Sequence, residues 1–252
     1  MNAKKDIDSR MRELEYFHQI LLIPGAWTIV RVDGRTFSRF TAQRFEKPFD
    51  VNFRDMMVMT SQALLEDLQG IYCCTHSDEI SVLFPPSWNI FNRKLEKIVS
   101  ISAGLASAAF THACGTPAHF DSRVWMGTNK QTVIDYFQWR QDDAARCALH
   151  GWCYWTLRKQ GKTARQATRA LEHKGVDYKN ELLFREGINF NDLPRWQRRG
   201  TGLYWHTFEK QGYDPLRQTS VTTTRRRIII DYDLSMREDY ERFLCQLLEG
   251  FG

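Results

Sequence analysis

The 252-residue sequence has no apolar run long enough for a membrane span, no Cys-x-x-Cys pair, no internal repeat and no low-complexity tract. These gaps exclude a membrane-spanning, fibrous or modular-array protein. It also lacks a Gly-x-Ser-x-Gly elbow and any Ser, His, Asp order of the hydrolase kind, so nucleophilic hydrolysis has no support. His112 with Cys114, and His76 beside Cys74, are not spaced as a closed zinc site. The first fourteen residues mix Lys4, Lys5, Arg10 and Arg12 with Asp6, Asp8 and Glu13. They read as a helix or frayed lead-in rather than a secretory leader, which needs an apolar segment. The six cysteines of so long a chain are expected to be reduced, mostly buried thiols in a cytoplasm.

What is present is enough apolar material for a core, 42% hydrophobic and 13% aromatic residues, with 26% charged residues for solubility. Thirty-five basic against thirty acidic residues leave a net +5, which permits a polyanionic partner without requiring one. Length sets the expectation at one large domain or one domain with an extension.

Periodicity places a strand at 27–33, stopped by Gly34, and a helix over 52–69, where Phe53, Met56, Met57, Leu64 and Leu68 share a face before Gly70. Strands follow at 71–75 and 80–84, joined by His76-Ser77-Asp78-Glu79 and ended by Pro85-Pro86. A helix over 90–110 and a strand at 122–126 complete a β-α-β-β-α-β order. That order predicts an α+β, ferredoxin-like core over residues 1–130, an antiparallel sheet with two helices on one face. Residues 131–252 read as an extension: a helix over 131–160, a turn-rich stretch beyond Gly187 and one late β pattern at 226–232. Trp139, Trp152 and Trp155 fall in the helical pattern and are expected in the core or a subunit interface.

Asp33 ends the first strand, and Asp78 with Glu79 occupy the hairpin bend, so all three carboxylates are expected at one edge of the central strands. Carboxylates gathered this way repel one another unless cations neutralise them. Hard ions such as magnesium take oxygen ligands and are commonly shared with phosphates. Two such ions about 4 Å apart serve phosphoryl or nucleotidyl transfer. The plainer alternative is a turn at Asp33-Gly34 and a polar hairpin tip at Ser77-Asp78-Glu79; composition and spacing do not separate the two. A glycine directly after Asp33 adds an expected nest of backbone amides over Gly34-Arg35-Thr36 that suits phosphate oxygens.

Several segments together carry a resemblance. Val32-Asp33-Gly34-Arg35-Thr36-Phe37-Ser38-Arg39-Phe40, Phe45-Glu46-Lys47-Pro48 and Ser77-Asp78-Glu79-Ile80-Ser81 are followed by Phe120-Asp121-Ser122-Arg123-Val124, Asp135-Tyr136 and Trp139-Arg140-Gln141. Lys179-Asn180-Glu181-Leu182-Leu183-Phe184 and Gly187-Ile188-Asn189-Phe190-Asn191 continue the order. From Trp27 to Trp205 this resembles the tRNA-histidine guanylyltransferase family. The resemblance implies a polymerase-like palm that extends RNA in the 3′-to-5′ direction on a 5′-activated tRNA, using GTP, ATP and other NTPs. It implies two magnesium ions on Asp33, Asp78 and the Gly34 carbonyl, with Glu79 supporting the charge as a third catalytic carboxylate. Gly34, Arg35, Thr36, Phe37, Ser38 and Ser77 would cradle the nucleotide, with Ser38 standing where the family has histidine. Lys47, Arg123, Lys179 and Asn180 would serve the remaining phosphates or the RNA end. A dimer or tetramer is implied as well.

One departure is informative. Eukaryotic members follow the Trp-Arg-Gln segment with His-Ile-Asn-Asn-Leu-Tyr-Asn, whereas Ala145-Arg146-Cys147-Ala148-Leu149-His150-Gly151 stands here. The chain thus resembles the archaeal and bacterial guanylyltransferase-like proteins, which implies template-directed repair of 5′-truncated tRNA over untemplated guanosine addition. Arg158, Lys159, Lys162, Arg165, Arg169 and Lys174 stand against Glu172 alone, an expected track for the RNA backbone. Arg195, Arg198, Arg199 and Arg225–Arg227 add cationic surface, and Trp196 offers a stacking face for an unpaired base. A solvated basic face accounts for each cluster equally well. A non-catalytic tRNA-binding module and a forward polymerase or cyclase sharing the palm are the rival readings.

Overall fold

The structure, a computed structural model, describes residues 2–214 and 218–251. Six strands form one antiparallel sheet in the order β4-β1-β3-β2-β5-β6: β1 (Trp27–Gly34), β2 (Tyr72–His76), β3 (Glu79–Phe84), β4 (Phe120–Gly127), β5 (Thr201–Asp214) and β6 (Thr219–Asp231). The first four give the 4-1-3-2 order of the ferredoxin-like palm. Alternation along the strands explains why both faces of the sheet are covered. Val30 and Val32 of β1, with Ile80, Val82 and Phe84 of β3, point to one face. There α3 (Val51–Asp67) and α4 (Leu95–Cys114) bury Met57, Leu64, Leu65, Ile98 and Phe110 against them.

Trp27 and Ile29 of β1, Tyr72 of β2 and Leu83 of β3 take the opposite face. They meet Val133, Ile134 and Phe137 of α5 (Lys130–Lys159) and Tyr240, Leu244 and Leu248 of α9 (Glu238–Leu248). The Tyr72 and Tyr240 hydroxyls, 2.8 Å apart, satisfy each other inside this layer. The second half of the chain therefore shares the palm's sheet and core: β5 pairs with β2 from Tyr72↔Tyr204 to Thr75↔Thr201.

Several elements differ from the sequence reading. The helix expected from residue 90 starts at Leu95, after a 3-10 turn at Ile90–Arg93 in which Phe91 and Asn92 have positive φ. The connection expected over 76–79 is only Ser77-Asp78, with Ser77 at φ 54°. The late β pattern is half of a long ribbon, and its partner β5 had no periodic signal. α1 (Asn2–Leu14) precedes the palm, and α2 (Phe37–Arg44), α6 (Ala164–Leu171), α7 (Val176–Arg185) and α8 (Arg195–Arg199) complete the chain. Of the six free thiols only Cys73 and Cys153 are fully buried; Cys147 and Cys245 are exposed, which corrects the expectation of mostly buried cysteines. No helix among the described residues is long and apolar enough to cross a membrane.

Candidate active site

The sheet register brings the strand end and the hairpin together. Asp33 of β1 pairs directly with Glu79 of β3, and the Gly34 amide donates to the Asp78 carbonyl at 3.1 Å. Asp33 and Glu79 keep the phase of Ile29, Arg31, Ser81 and Leu83, so both side chains turn toward α5. Asp78, in the turn, lies between two cavities and lines both.

The three carboxylates are not equivalent. Glu79 is clamped by Arg140 of α5 through two hydrogen bonds, Nε to Oε1 at 2.7 Å and Nη2 to Oε2 at 2.6 Å. Arg31 adds a longer contact at 4.0 Å. Asp33 and Asp78 have no ion pair among the described residues; Asp78 accepts from the Ser77 hydroxyl at 3.0 Å and is eased by its own backbone amide. Their charges are felt in titration. Burial, then the neighbouring charge of Asp33, pushes the Asp78 carboxyl up to about 6. Burial and Asp121 raise Asp33, against the nearby Arg123, Arg31 and Arg140. Among the described residues no three Asp, Glu, His or Cys side chains converge as a ready-made metal cage. What remains is a pair of oxygen donors without an ion pair beside a third that Arg140 clamps, although burial raises the Glu79 carboxyl as well. This set suits a hard divalent cation completed by water and substrate phosphate rather than by protein alone.

The larger cavity, about 560 Å³, opens between α2, the Phe45–Asp50 loop, the hairpin and α5. Its walls include Phe37, Ser38, Lys47, Ser77 and Asp78 from the expected nucleotide set. Lys47 is half-buried, and burial lowers its pKa against the opposing charges of Asp78 and Asp50. Gly34 is required where it stands: a Cβ there would lie 2.4 Å from the Phe37 ring, which packs down against the strand end.

The expected nest is corrected in part. The Gly34 amide is spent on Asp78, and the Arg35 amide donates to the His119 carbonyl at 2.8 Å. Thr36, at φ 61°, is the cap residue of α2 without capping it through its side chain, which leaves the first-turn amides of α2 without a side-chain acceptor from the cap.

Other expected residues divide. Arg123 is an exposed residue of β4, paired with Asp121 at 3.0 Å and close enough to act on Asp33. Lys179 stands near His150, whereas Asn180 lines a separate cleft with Asp177, Glu181 and Phe184 and is not brought to the carboxylates. Lys159, Lys162 and Arg165 are exposed at the α5–α6 junction, and Arg158 is half-buried beside them. Arg198 is no surface cation: it is 8% exposed and its Nε donates to the Leu193 carbonyl at 3.1 Å. Arg199 points inward too, donating Nη1 to the Leu234 carbonyl at 2.9 Å, and lines the smaller cavity with Asp33, Asp78 and Glu79. A charge run in sequence does not report burial, and these two arginines sit where a short helix meets the hairpin.

Of the far wall of the large cavity, sequence reasoning read only Trp196 as a ligand surface. His150, Gly151, Tyr154 and Trp155 of α5 line it, as do Phe49 and Trp196, whose rings meet edge to face at 5.7 Å. Their spacing along α5 was the available signal. Trp155 therefore borders the cavity rather than the core, and Trp139 is 53% exposed with Arg140 stacked at 4.6 Å from its ring.

A ferredoxin-like palm with strand-end carboxylates beside a nucleotide-sized cleft points to a nucleotidyl-transfer enzyme. Comparisons with known proteins agree. Residues 8–134 match the model of the tRNAHis guanylyltransferase family and residues 131–235 that of the Thg1 C-terminal domain. A "Probable tRNA(His) guanylyltransferase" of Dictyostelium discoideum is 31% identical over 225 residues, 84% of this chain and 86% of the relative. A solved bacterial tRNA(His) guanylyltransferase (Thg1)-like protein in complex with GTP superimposes with a TM-score of 0.73 at 26% identity, covering 97% of this chain and 99% of the other. One in complex with ATP matches with the same score and identity over 96% and 99%. The chain belongs to the tRNA-histidine guanylyltransferase family.

Proposed function

We propose that this chain adds nucleotides in the 3′-to-5′ direction to the 5′ end of truncated tRNA, copying the opposite strand of the acceptor stem. The observation that carries the chemistry is that Asp33 stands opposite Glu79 and Gly34 bonds the Asp78 carbonyl, which sets Asp33 next to the Ser77-Asp78 turn that lines the nucleotide-sized cavity. Asp33 and Asp78, with the Gly34 carbonyl, would hold two magnesium ions. The chemistry supplied by the bound ions is charge neutralisation on the triphosphate and activation of the attacking 3′-hydroxyl. Around that centre the chain's own groups bind and orient. Lys47 lends a cation to the phosphates, and the first-turn amides of α2, with Ser38 and Ser77, donate to phosphate oxygens. Phe37 and the α5 wall exclude water from the base, while Arg123 lies at the open edge for the RNA end. Lys159, Lys162 and Arg165 hold the backbone of the tRNA, a contact that fixes register without reading sequence.

ATP or GTP binding by the solved relatives supports nucleoside triphosphates as substrates. Repair over untemplated addition is supported by the Ala145–Gly151 run, which replaces the histidine-led segment of eukaryotic members. The names of the curated relatives favour the second reading, guanosine addition to tRNA-histidine. A gel assay with labelled tRNA and all four NTPs separates them. Extension of a 5′-truncated tRNA faster than of full-length tRNA-histidine is the expected result, and the reverse order refutes repair. Assembly as a dimer or tetramer in the cytoplasm belongs to the same reading, and light scattering tests the assembly.

A further inference from the structure

Arg140 touches neither Asp33 nor Asp78 through a hydrogen bond, yet it makes a two-pronged ion pair with the carboxylate beside them. Its guanidinium meets Glu79 as a fork, at 2.7 and 2.6 Å, and its Nη2 also reaches Asp143 Oδ2 at 3.0 Å. Asp143 in turn is bound by Arg146. The Trp139 ring backs the same guanidinium at 4.6 Å, and both members of the pair are largely shielded, with side chains 15% and 19% exposed. One residue further along α5, Gln141 donates to the Ser235 carbonyl at 2.9 Å, which ties this turn of the helix to the chain leading into α9. Glu79 is both the sequence neighbour of Asp78 and the cross-strand partner of Asp33. Whatever holds Glu79 therefore holds the first residue after the catalytic turn, across the sheet from the other catalytic carboxylate.

We propose that Arg140 is a positioning residue that fixes Glu79 away from the cation centre, leaving Asp33 and Asp78 as its only carboxylates. A bidentate fork holds orientation as well as charge, which lysine cannot reproduce. Without it, Glu79 keeps only the 4.0 Å contact to Arg31 and becomes a shielded, loosely held carboxylate beside two others, and the three compete for the same cations. The long helix of the C-terminal half thereby sets the geometry of the palm's turn. This inference rests on the cation-dependent reading of Asp33 and Asp78 given above.

The test uses the full chain with Arg140→Gln, Arg140→Lys, Glu79→Gln and the double variant Arg140→Gln/Glu79→Gln. In Arg140→Gln, kcat for NTP incorporation falls about a hundredfold, the scale of a misplaced catalytic group. The KM for NTP stays within about threefold, because the binding wall is untouched. Mn2+ binding without nucleotide, followed by electron paramagnetic resonance, tightens by about threefold or more as Glu79 is freed. Arg140→Lys keeps the charge, loses the fork and falls between. The double variant regains at least about tenfold in kcat and the wild-type Mn2+ affinity, since the competing carboxylate is gone. A merely structural pair would lower the melting temperature of all the variants without separating kcat from KM or producing rescue. If the wild type incorporates NTP and binds Mn2+ but the double variant is as impaired as Arg140→Gln, Glu79 acts directly and the clamp is refuted. If the wild type does neither, the proposed function fails and this inference with it.

Discussion

Replacing Asp78 with asparagine should make the cation-free protein more stable, and the gain should depend on pH in a defined sense. The Asp78 carboxyl titrates at about 6 in the folded chain, from an ordinary value of 3.8, because it is buried and faces Asp33. A group that binds its proton more tightly when folded favours the fold below its unfolded pKa, and that advantage is lost as pH rises through the folded value. The difference, about two units at 1.36 kcal/mol each, amounts to about 3 kcal/mol lost between roughly pH 4 and 6. The charge of Asp33 is part of what raises Asp78, so the loss depends on the ionisation of Asp33 too and is spread along the pH axis. Asp78→Asn cannot pay this term. In EDTA, urea unfolding from pH 4 to 8 should show the variant gaining stability relative to wild type up to about pH 6, then holding a constant margin near 3 kcal/mol. A wild type and variant whose stabilities run parallel across that range would refute the reasoning, as would a variant less stable than wild type at pH 7.5.

Two further substitutions probe the neighbouring groups. Lys47→Gln removes the one lysine lining the larger cavity. It should raise the KM for NTP by about tenfold while the far-UV circular dichroism is unchanged, consistent with one charge-assisted contact to phosphate. Gly34→Ala drives a methyl to 2.4 Å from the Phe37 ring. Overpacking of this kind should destabilise the chain by about 1–3 kcal/mol, read as a lower urea midpoint.

The legible part of this fold is the part in which one face of each element is buried. In β1, Val30 and Val32 alternate with Trp27, Ile29 and Arg31, and in α3 Met57, Leu64 and Leu65 share a stripe, so period alone located both. β5 escaped, and β6 was seen only from residue 226, because most of the ribbon runs clear of the core: between His206 and Tyr213 only Phe208 is better than exposed, so no alternation is imposed on the sequence. α2 is eight residues long and lacks a side-chain cap, which leaves no start signal. Asp33 and Asp78 were readable because both stand where a strand stops. Their inequality with Glu79 was not, since it depends on Arg140, sixty-one residues away and on the opposite layer. Arg198 shows the converse: its charge was visible in sequence, and its burial was not.

The most direct test of the account is incorporation of NTP at the 5′ end of an activated, 5′-truncated tRNA by wild type, Asp33→Ala and Asp78→Ala, each checked for fold by circular dichroism. Wild type should extend the 5′ terminus, and neither folded variant should do so above background. Near-normal extension by Asp33→Ala or Asp78→Ala, or growth at the 3′ terminus instead, would contradict it.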